Sequence, residues 1–437
     1  MQAPALSEQL AWTTQVVHAV LQGRSLTTEL PRVPGPLRPG IQSLAFDVLR
    51  RWGEAQAWVQ VLSARKPTPM VQALLGVSAC LLTQPASAQR NQYAPHTVVD
   101  QAVKAARSLK LAAPVTGFVN ACLRRLLREQ SALQAQVDAQ PLAQHNHPMW
   151  WVQRLQRDYP QQWDQVLASN QHSAPLCLRV NTRKVSPSDY LQALHNSGIH
   201  AQPNGAEGIT LATGVNVEQL PGWHDGWVSV QDAGAQLAAH LLIDDPSAWQ
   251  GKRVLDACAA PGGKTAHLLE RADVQVLALD VDAQRCERIQ DNLQRLQLQA
   301  QVQAVDAANT STWWDGQPID GVLLDAPCTA SGIVRRHPDV RWLRRDTDIA
   351  QLATAQYTLL KALWPTVAPG GRLLYCTCSV FKAEGQQQID GFLRKNHDAH
   401  QLAAPGHLIP GGQWQMNDNV WRDTDGFFYA LLSKLPT

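Results

Sequence analysis

The sequence lacks several features that would settle its class at once. It has no CxxC pair among its eight cysteines, so a zinc site or a disulfide framework is not expected. It has no long apolar run. The longest, Val71 to Leu82, is interrupted by Gln72, Gly76 and Ser78 and is too short to span a membrane. The N-terminus shows no basic start followed by an apolar stretch, and Glu8 interrupts it, so no signal peptide is expected. Phe and Tyr are scarce, six of each, while the fifteen tryptophans are read mostly as packing residues. Charge of one sign is not in excess: the formal net charge is +2. That balance does not argue against a nucleic-acid partner, because local patches set such affinity. Free thiols at this density suit a reducing cytosol.

A chain of 437 residues is too long for one hydrophobic core, so two or three domains are expected. Residues 1–145 read as helices, with helical apolar spacing over 41–62, 69–82, 97–110 and 117–130. Thr97 and Asp100 stand at capping-box spacing. The polar, Gln-rich stretch 131–148, ending at Pro148, reads as a linker. Residues 146–240 read as a small α+β domain, with strands at 177–182, 208–211 and 227–232 and a helix at 187–196. From 241 onward, short apolar runs alternate with helical stretches such as 283–297 and 349–364. That alternation predicts an α/β, Rossmann-like domain: a parallel sheet with helices on both faces. The expected architecture is therefore multidomain, with boundaries near 145 and 240.

Four segments carry the chemistry. DACAAPGGKT (256–265) follows an apolar strand and precedes a helix. Its small residues let a ligand approach the backbone at the strand's carboxyl end. It is not a Walker A loop, because Cys258 stands where the first glycine must be, and GxGxxG spacing is also absent. Asp280 ends the next strand, where a carboxylate can bind ribose hydroxyls; Asp282 could share the task or cap the following helix. Asp306 ends the third strand and could accept from an adenine amino group. LLDAPCTASG (323–332) places Asp325 beside Cys328, and LLYCTCS (373–379) places Cys378 at the same carboxyl edge. Cys376, inside the strand, reads as core.

Together the set suits methyl transfer to carbon 5 of a cytosine. That carbon becomes nucleophilic only after a thiolate adds to carbon 6. A carboxyl group at ring nitrogen 3 stabilises the adduct. Position alone does not say which cysteine attacks.

DACAAPGGKT, LLDAPCTASG with RRHPD (335–339), and YCTCS resemble the Nop/Sun family of RNA 5-methylcytosine methyltransferases, most of all its bacterial members that act on small-subunit ribosomal RNA. VQDAGAQLAA (230–239) and DGFFYALL (425–432) extend the likeness, and GFVNACLRRL (117–126) resembles the NusB-type RNA-binding domain that precedes the catalytic part. The resemblance implies S-adenosylmethionine as cofactor and 16S ribosomal RNA as partner; with the cysteine usage and apolar runs above, a cytoplasmic, monomeric enzyme without metal or membrane attachment is expected. It implies cofactor contacts from Cys258, Ala259, Ala260, Pro261, Gly262, Gly263, Lys264, Asp280, Asp306 and Asp325. It implies Cys378 as nucleophile, with Cys328 assisting product release and Asp325 supporting catalysis. Two positions depart from the family pattern: Gly385 follows Glu384 where Asn is frequent, and Ala307 follows Asp306 where Gly is frequent.

RNA contact is expected from Arg335, Arg336, Arg341, Arg344 and Arg345, which crowd beside the Pro-Cys segment. Arg124, Arg125 and Arg128 offer a second surface. Two other functions compete. A non-catalytic RNA-binding or assembly factor would not need the cofactor loop and both cysteines. A DNA cytosine-5 methyltransferase would use the Pro-Cys cysteine as nucleophile and leave Cys378 dispensable.

Overall fold

A computed structural model describes residues 4–84 and 93–436. The chain divides into two compact units by contact. Residues 1–172 and 334–345 form one unit, and 173–333 with 346–437 form the other.

The first unit is helical. Its longer helices are α1 (Leu6–Leu21), α2 (Arg38–Arg50), α3 (Trp52–Leu62), α4 (Pro69–Leu82), α5 (Pro95–Ser108), α6 (Ala113–Asp138), α7 (Met149–Asp158) and α8 (Trp163–Ser169). The single helix expected over 41–62 breaks at Arg51. That residue leaves helical geometry, and its guanidinium caps the end of α4 by donating to the Cys80 and Thr83 carbonyls, both at 2.9 Å. The 131–148 linker is a misreading. Helix α6 runs on to Asp138 because Leu133 and Val137, four residues apart, bury one face of an otherwise polar stretch. Thr97 caps nothing, since α5 already starts at Pro95.

The second unit opens with a four-stranded antiparallel sheet in the order β2-β3-β1-β4, from β1 (Cys177–Val180), β2 (Ala201–Pro203), β3 (Gly208–Leu211) and β4 (Val228–Val230). Helix α9 (Pro187–Asn196) lies between β1 and β2 in sequence, and α10 (Ala233–Leu242) follows β4. All four β1 residues are buried, which is why CLRV reads as a continuous apolar run broken only by Arg179.

The Rossmann-like sheet then forms from β5 (Arg253–Ala257), α11 (Gly263–Arg271), β6 (Gln275–Asp280), α12 (Ala283–Leu296), β7 (Gln301–Ala304), β8 (Ile319–Asp325), α13 (Asp346–Leu363), β9 (Val367–Thr377) and α14 (Gln386–Leu393). Three C-terminal strands, β10 (Ala399–Leu408), β11 (Gly412–Met416) and β12 (Asn419–Thr424), precede β13 (Phe427–Lys434). The strand order is β10-β13-β9-β8-β5-β6-β7. The five strands expected from the sequence are parallel; β13 and β10 extend the sheet antiparallel, so it is mixed. Order reverses between β5 and β8, and a crevice opens outside the carboxyl ends of strands at such a point. Among the described residues, no helix is long and apolar enough to cross a membrane.

Candidate active site

Strand β5 ends in the small-residue loop. Cys258 takes a left-handed backbone (φ 64°), the Ala260–Pro261 bond is cis, and Gly262 (φ 93°) caps α11. A side chain on Gly262 would meet Ile289 of α12 at 3.1 Å. Gly262 therefore permits the turn and the helix packing, and its missing side chain does not face a ligand. Gly263 differs: a Cβ there has nothing nearer than Gln231 Nε2 at 3.9 Å. Ala259 and Ala260 are buried. The loop backbone is thus approachable at Gly263, which fits a cofactor laid along this loop.

Asp280 lies 1% exposed at the end of β6. Its carboxylate accepts from Ala260 N, Asp282 N and Arg285 Nη1, each at 3.2 Å. Arg285 also donates to the Ala260 carbonyl at 3.0 Å, so it covers the loop from outside. Asp282 is the cap of α12, accepting from Gln284 N and Arg285 N. Asp306 is exposed past the end of β7, where it accepts from Ala308 N. Asp256, which the sequence reading passed over, is fully buried and bonds Thr265 Oγ1; burial pushes its pKa up to about 7. A carboxylate closing a buried strand was the available signal.

At the end of β8, Asp325 Oδ2 accepts from Lys264 Nζ at 2.6 Å, and its Oδ1 lies 3.5 Å from the Cys376 thiol. Burial pulls the Lys264 ammonium down, but Asp325 and the neighbouring Cys376 and Tyr429 outweigh it and hold Lys264 well above its ordinary value. Lys264 also lies over the Phe427 ring. Cys376 is buried.

The two remaining cysteines meet. Cys328 Sγ and Cys378 Sγ are 3.4 Å apart. Both are partly exposed. The hydrogen bond to Cys378, together with burial, raises the Cys328 pKa well above its ordinary value, so Cys328 keeps its proton. The loops carrying them are tied through Glu384, a buried residue that the sequence showed only as the neighbour of Gly385. It accepts from Thr329 N at 2.9 Å, Thr329 Oγ1, Ser379 Oγ at 2.6 Å and Gln356 Nε2 at 3.2 Å. The Gly332 N–H donates to the Cys378 carbonyl at 2.9 Å. Gly385 has a local cause: any side chain there would strike His407 at 2.5 Å. Ala307 is buried in the core beside Trp313.

The arginine cluster lies in a different unit from the crevice residues. Residues 334–345 belong to the helical unit. Arg341 is fully buried there, donating to the carbonyls of Asn146 (3.2 Å) and Asn170 (2.6 Å). Arg335 is 3% exposed. Neither can reach a phosphate, so both assignments are corrected. Arg336 and Arg344 are partly buried, and Arg345 is exposed. Replacing Arg341 with Gln is expected to destabilise the helical unit by about 3 kcal/mol, because two buried carbonyls lose their donor. Urea unfolding checks this; a change below about 0.5 kcal/mol would mean the carbonyls find other donors.

The family described as 16S rRNA methyltransferase RsmB/F matches residues 246–433, and an RsmF/B-like ferredoxin-like domain matches 147–218. Ribosomal RNA small subunit methyltransferase B of Vibrio cholerae is 40% identical over 94% of this chain and 94% of its own length. The protein of that name from Serratia proteamaculans is 39% identical over 95% of each. Among solved structures, PH0851 has a TM-score of 0.75 at 24% identity and covers 99% of this chain and 100% of its own, a likeness of fold. A methyltransferase homolog protein from Pyrococcus horikoshii has a TM-score of 0.56 at 27% identity, covering 67% of this chain and 97% of its own.

Proposed function

The chain belongs to the ribosomal RNA small subunit methyltransferase B family, and from that membership we propose that it methylates carbon 5 of a cytosine in 16S ribosomal RNA, with S-adenosylmethionine as donor and a covalent bond from Cys378 to carbon 6. One observation carries the reading: two thiols 3.4 Å apart stand at the crevice edge with Asp325 and its Lys264 partner.

The residues divide the work. Cys328 holds its proton beside Cys378 Sγ, 3.4 Å away, so Cys378 is left as the thiol that attacks. That thiolate adds to carbon 6, and the electron pair moves through the ring. Asp325 and the Lys264 ammonium paired with it stand to supply a proton to ring nitrogen 3 as it becomes basic. Once carbon 5 carries the methyl group, its proton leaves to water, the freed electron pair re-forms the carbon 5–carbon 6 double bond, and the Cys378–carbon 6 bond breaks to return the thiolate. Cys328, one thiol away, assists this release.

S-adenosylmethionine supplies an electrophilic methyl group. Residues 258–264 would hold it, Asp280 would take the ribose once half-exposed Arg285 turns aside, and Asp306 would face the adenine. RNA would also meet the helical unit. There a groove of about 970 Å³ between α5 and α6 is lined by Arg107, Asn120, Arg124 and Arg128.

The test is methylation of a 16S ribosomal RNA transcript, followed by mapping of 5-methylcytosine. A methyl group found on any other atom would overturn the reading. Gly262→Val separately probes the loop. At φ 93° a branched side chain is strained whatever space it has, and it must displace Ile289. Affinity for S-adenosylmethionine by calorimetry is expected to fall at least about tenfold. Unchanged affinity in the folded variant would remove the loop from the cofactor site.

A further inference from the structure

Helix α11, which opens at the loop, is gripped from the four-stranded sheet by buried polar groups. Gly263, His267 and Glu270 fall at i, i+4 and i+7, a single stripe along the helix. Every member of that stripe is engaged. Arg179 of β1, 0% exposed, donates from Nε and Nη2 to the Glu270 carboxylate at 2.8 and 2.9 Å. From Nη1 it donates to the Gly263 carbonyl at 2.9 Å and to Gln231 Oε1. Glu207, just before β3, accepts from His267 Nε2 and from His240 Nε2 of α10. Arg183 adds a bond to the Glu270 carbonyl at 3.1 Å.

One guanidinium therefore spans the helix from its first carbonyl to the carboxylate of its last turn. Glu270 can meet Arg179 so far along because helical side chains lean toward the N-terminus. The fork is rigid and planar, so its contacts to Gly263 and Glu270 move together. Gly263 is followed by Lys264, whose ammonium reaches Asp325. A shift of the Gly263 carbonyl would thus move the loop backbone and the Lys264–Asp325 pair.

We infer that Arg179 is a positioning residue for the cofactor loop, through which the four-stranded sheet sets affinity for the methyl donor. The inference rests on the cofactor reading above.

Two variants separate positioning from stability. Arg179→Lys keeps the charge but cannot hold Glu270 and Gly263 in one fixed fork. Its dissociation constant and KM for S-adenosylmethionine are expected to rise about tenfold, with kcat at saturating donor within about threefold of the unmodified enzyme. Glu270→Gln leaves a buried guanidinium undercompensated and should lower the unfolding temperature. It retains the Gly263 contact, so its affinity should stay within about threefold. Calorimetry and initial rates on the full chain read both. Unchanged affinity in Arg179→Lys would overturn the inference. So would a loss of affinity in both variants that simply tracks their lost thermal stability. Failure of the unmodified enzyme to bind S-adenosylmethionine would instead overturn the cofactor reading, and this inference with it.

Discussion

Replacing Cys378 with alanine is expected to abolish both methyl transfer and the covalent enzyme–RNA species, a loss on the order of 10³-fold or more. Without the thiolate, carbon 5 never gains enamine character, and Cys328, 3.4 Å away, keeps its proton. Cys376 is buried inside β9, and its thiol faces Asp325. Cys328→Ala should behave differently. The nucleophile remains, so attack proceeds, while release loses the thiol 3.4 Å away. A covalent complex should accumulate and survive denaturing electrophoresis. The fold should tolerate both changes, since each side chain is partly exposed and the Glu384 bonds run through Thr329 and Ser379. The converse pattern, with adduct trapped in Cys378→Ala and absent in Cys328→Ala, would assign attack to the Pro-Cys cysteine and overturn the proposal.

What could be read in the sequence was local. The loop 256–265, the two cysteine segments and five parallel strands are each encoded in a few adjacent residues whose pattern matches their period or turn chemistry. What could not be read depends on distant partners. Arg341 and Arg345 look alike in a basic run, yet one is buried under the Asn146 and Asn170 carbonyls and the other is exposed. Glu384 draws its meaning from Thr329, 55 residues away, and Arg179 from Glu270, 91 residues away. Helix α6 outran its expected end because two buried residues, Leu133 and Val137, outweigh a polar composition. Strands β10 to β12 carry His, Gln, Pro and Gly in place of a clean alternation, and only pairing with β13 and with each other defines them. Gly262 shows a subtler failure. Its place in a ligand loop was legible, but the direction of its missing side chain, toward Ile289, is set by α12.

Asp325→Ala is expected to lose most activity, on the order of 10² to 10⁴-fold, the range that acid–base assistance supplies. The same change also strands the Lys264 ammonium, whose side chain is only 13% exposed. A buried charge that loses its partner costs a few kcal/mol, and the 30% exposure of Asp325 places this case at the low end. Loss of activity alone would therefore not distinguish chemistry from damage. The double variant Asp325→Ala with Lys264→Met separates them. Methionine fills the volume of the lysine stem against Phe427 without a charge to compensate. Stability should recover toward the unmodified enzyme, so the two substitutions should be strongly non-additive in unfolding free energy. Activity, read at saturating donor, should not recover, because the proton held for ring nitrogen 3 is gone from both partners. Recovery of methylation together with stability would reduce Asp325 to a structural counter-ion and remove it from the chemistry.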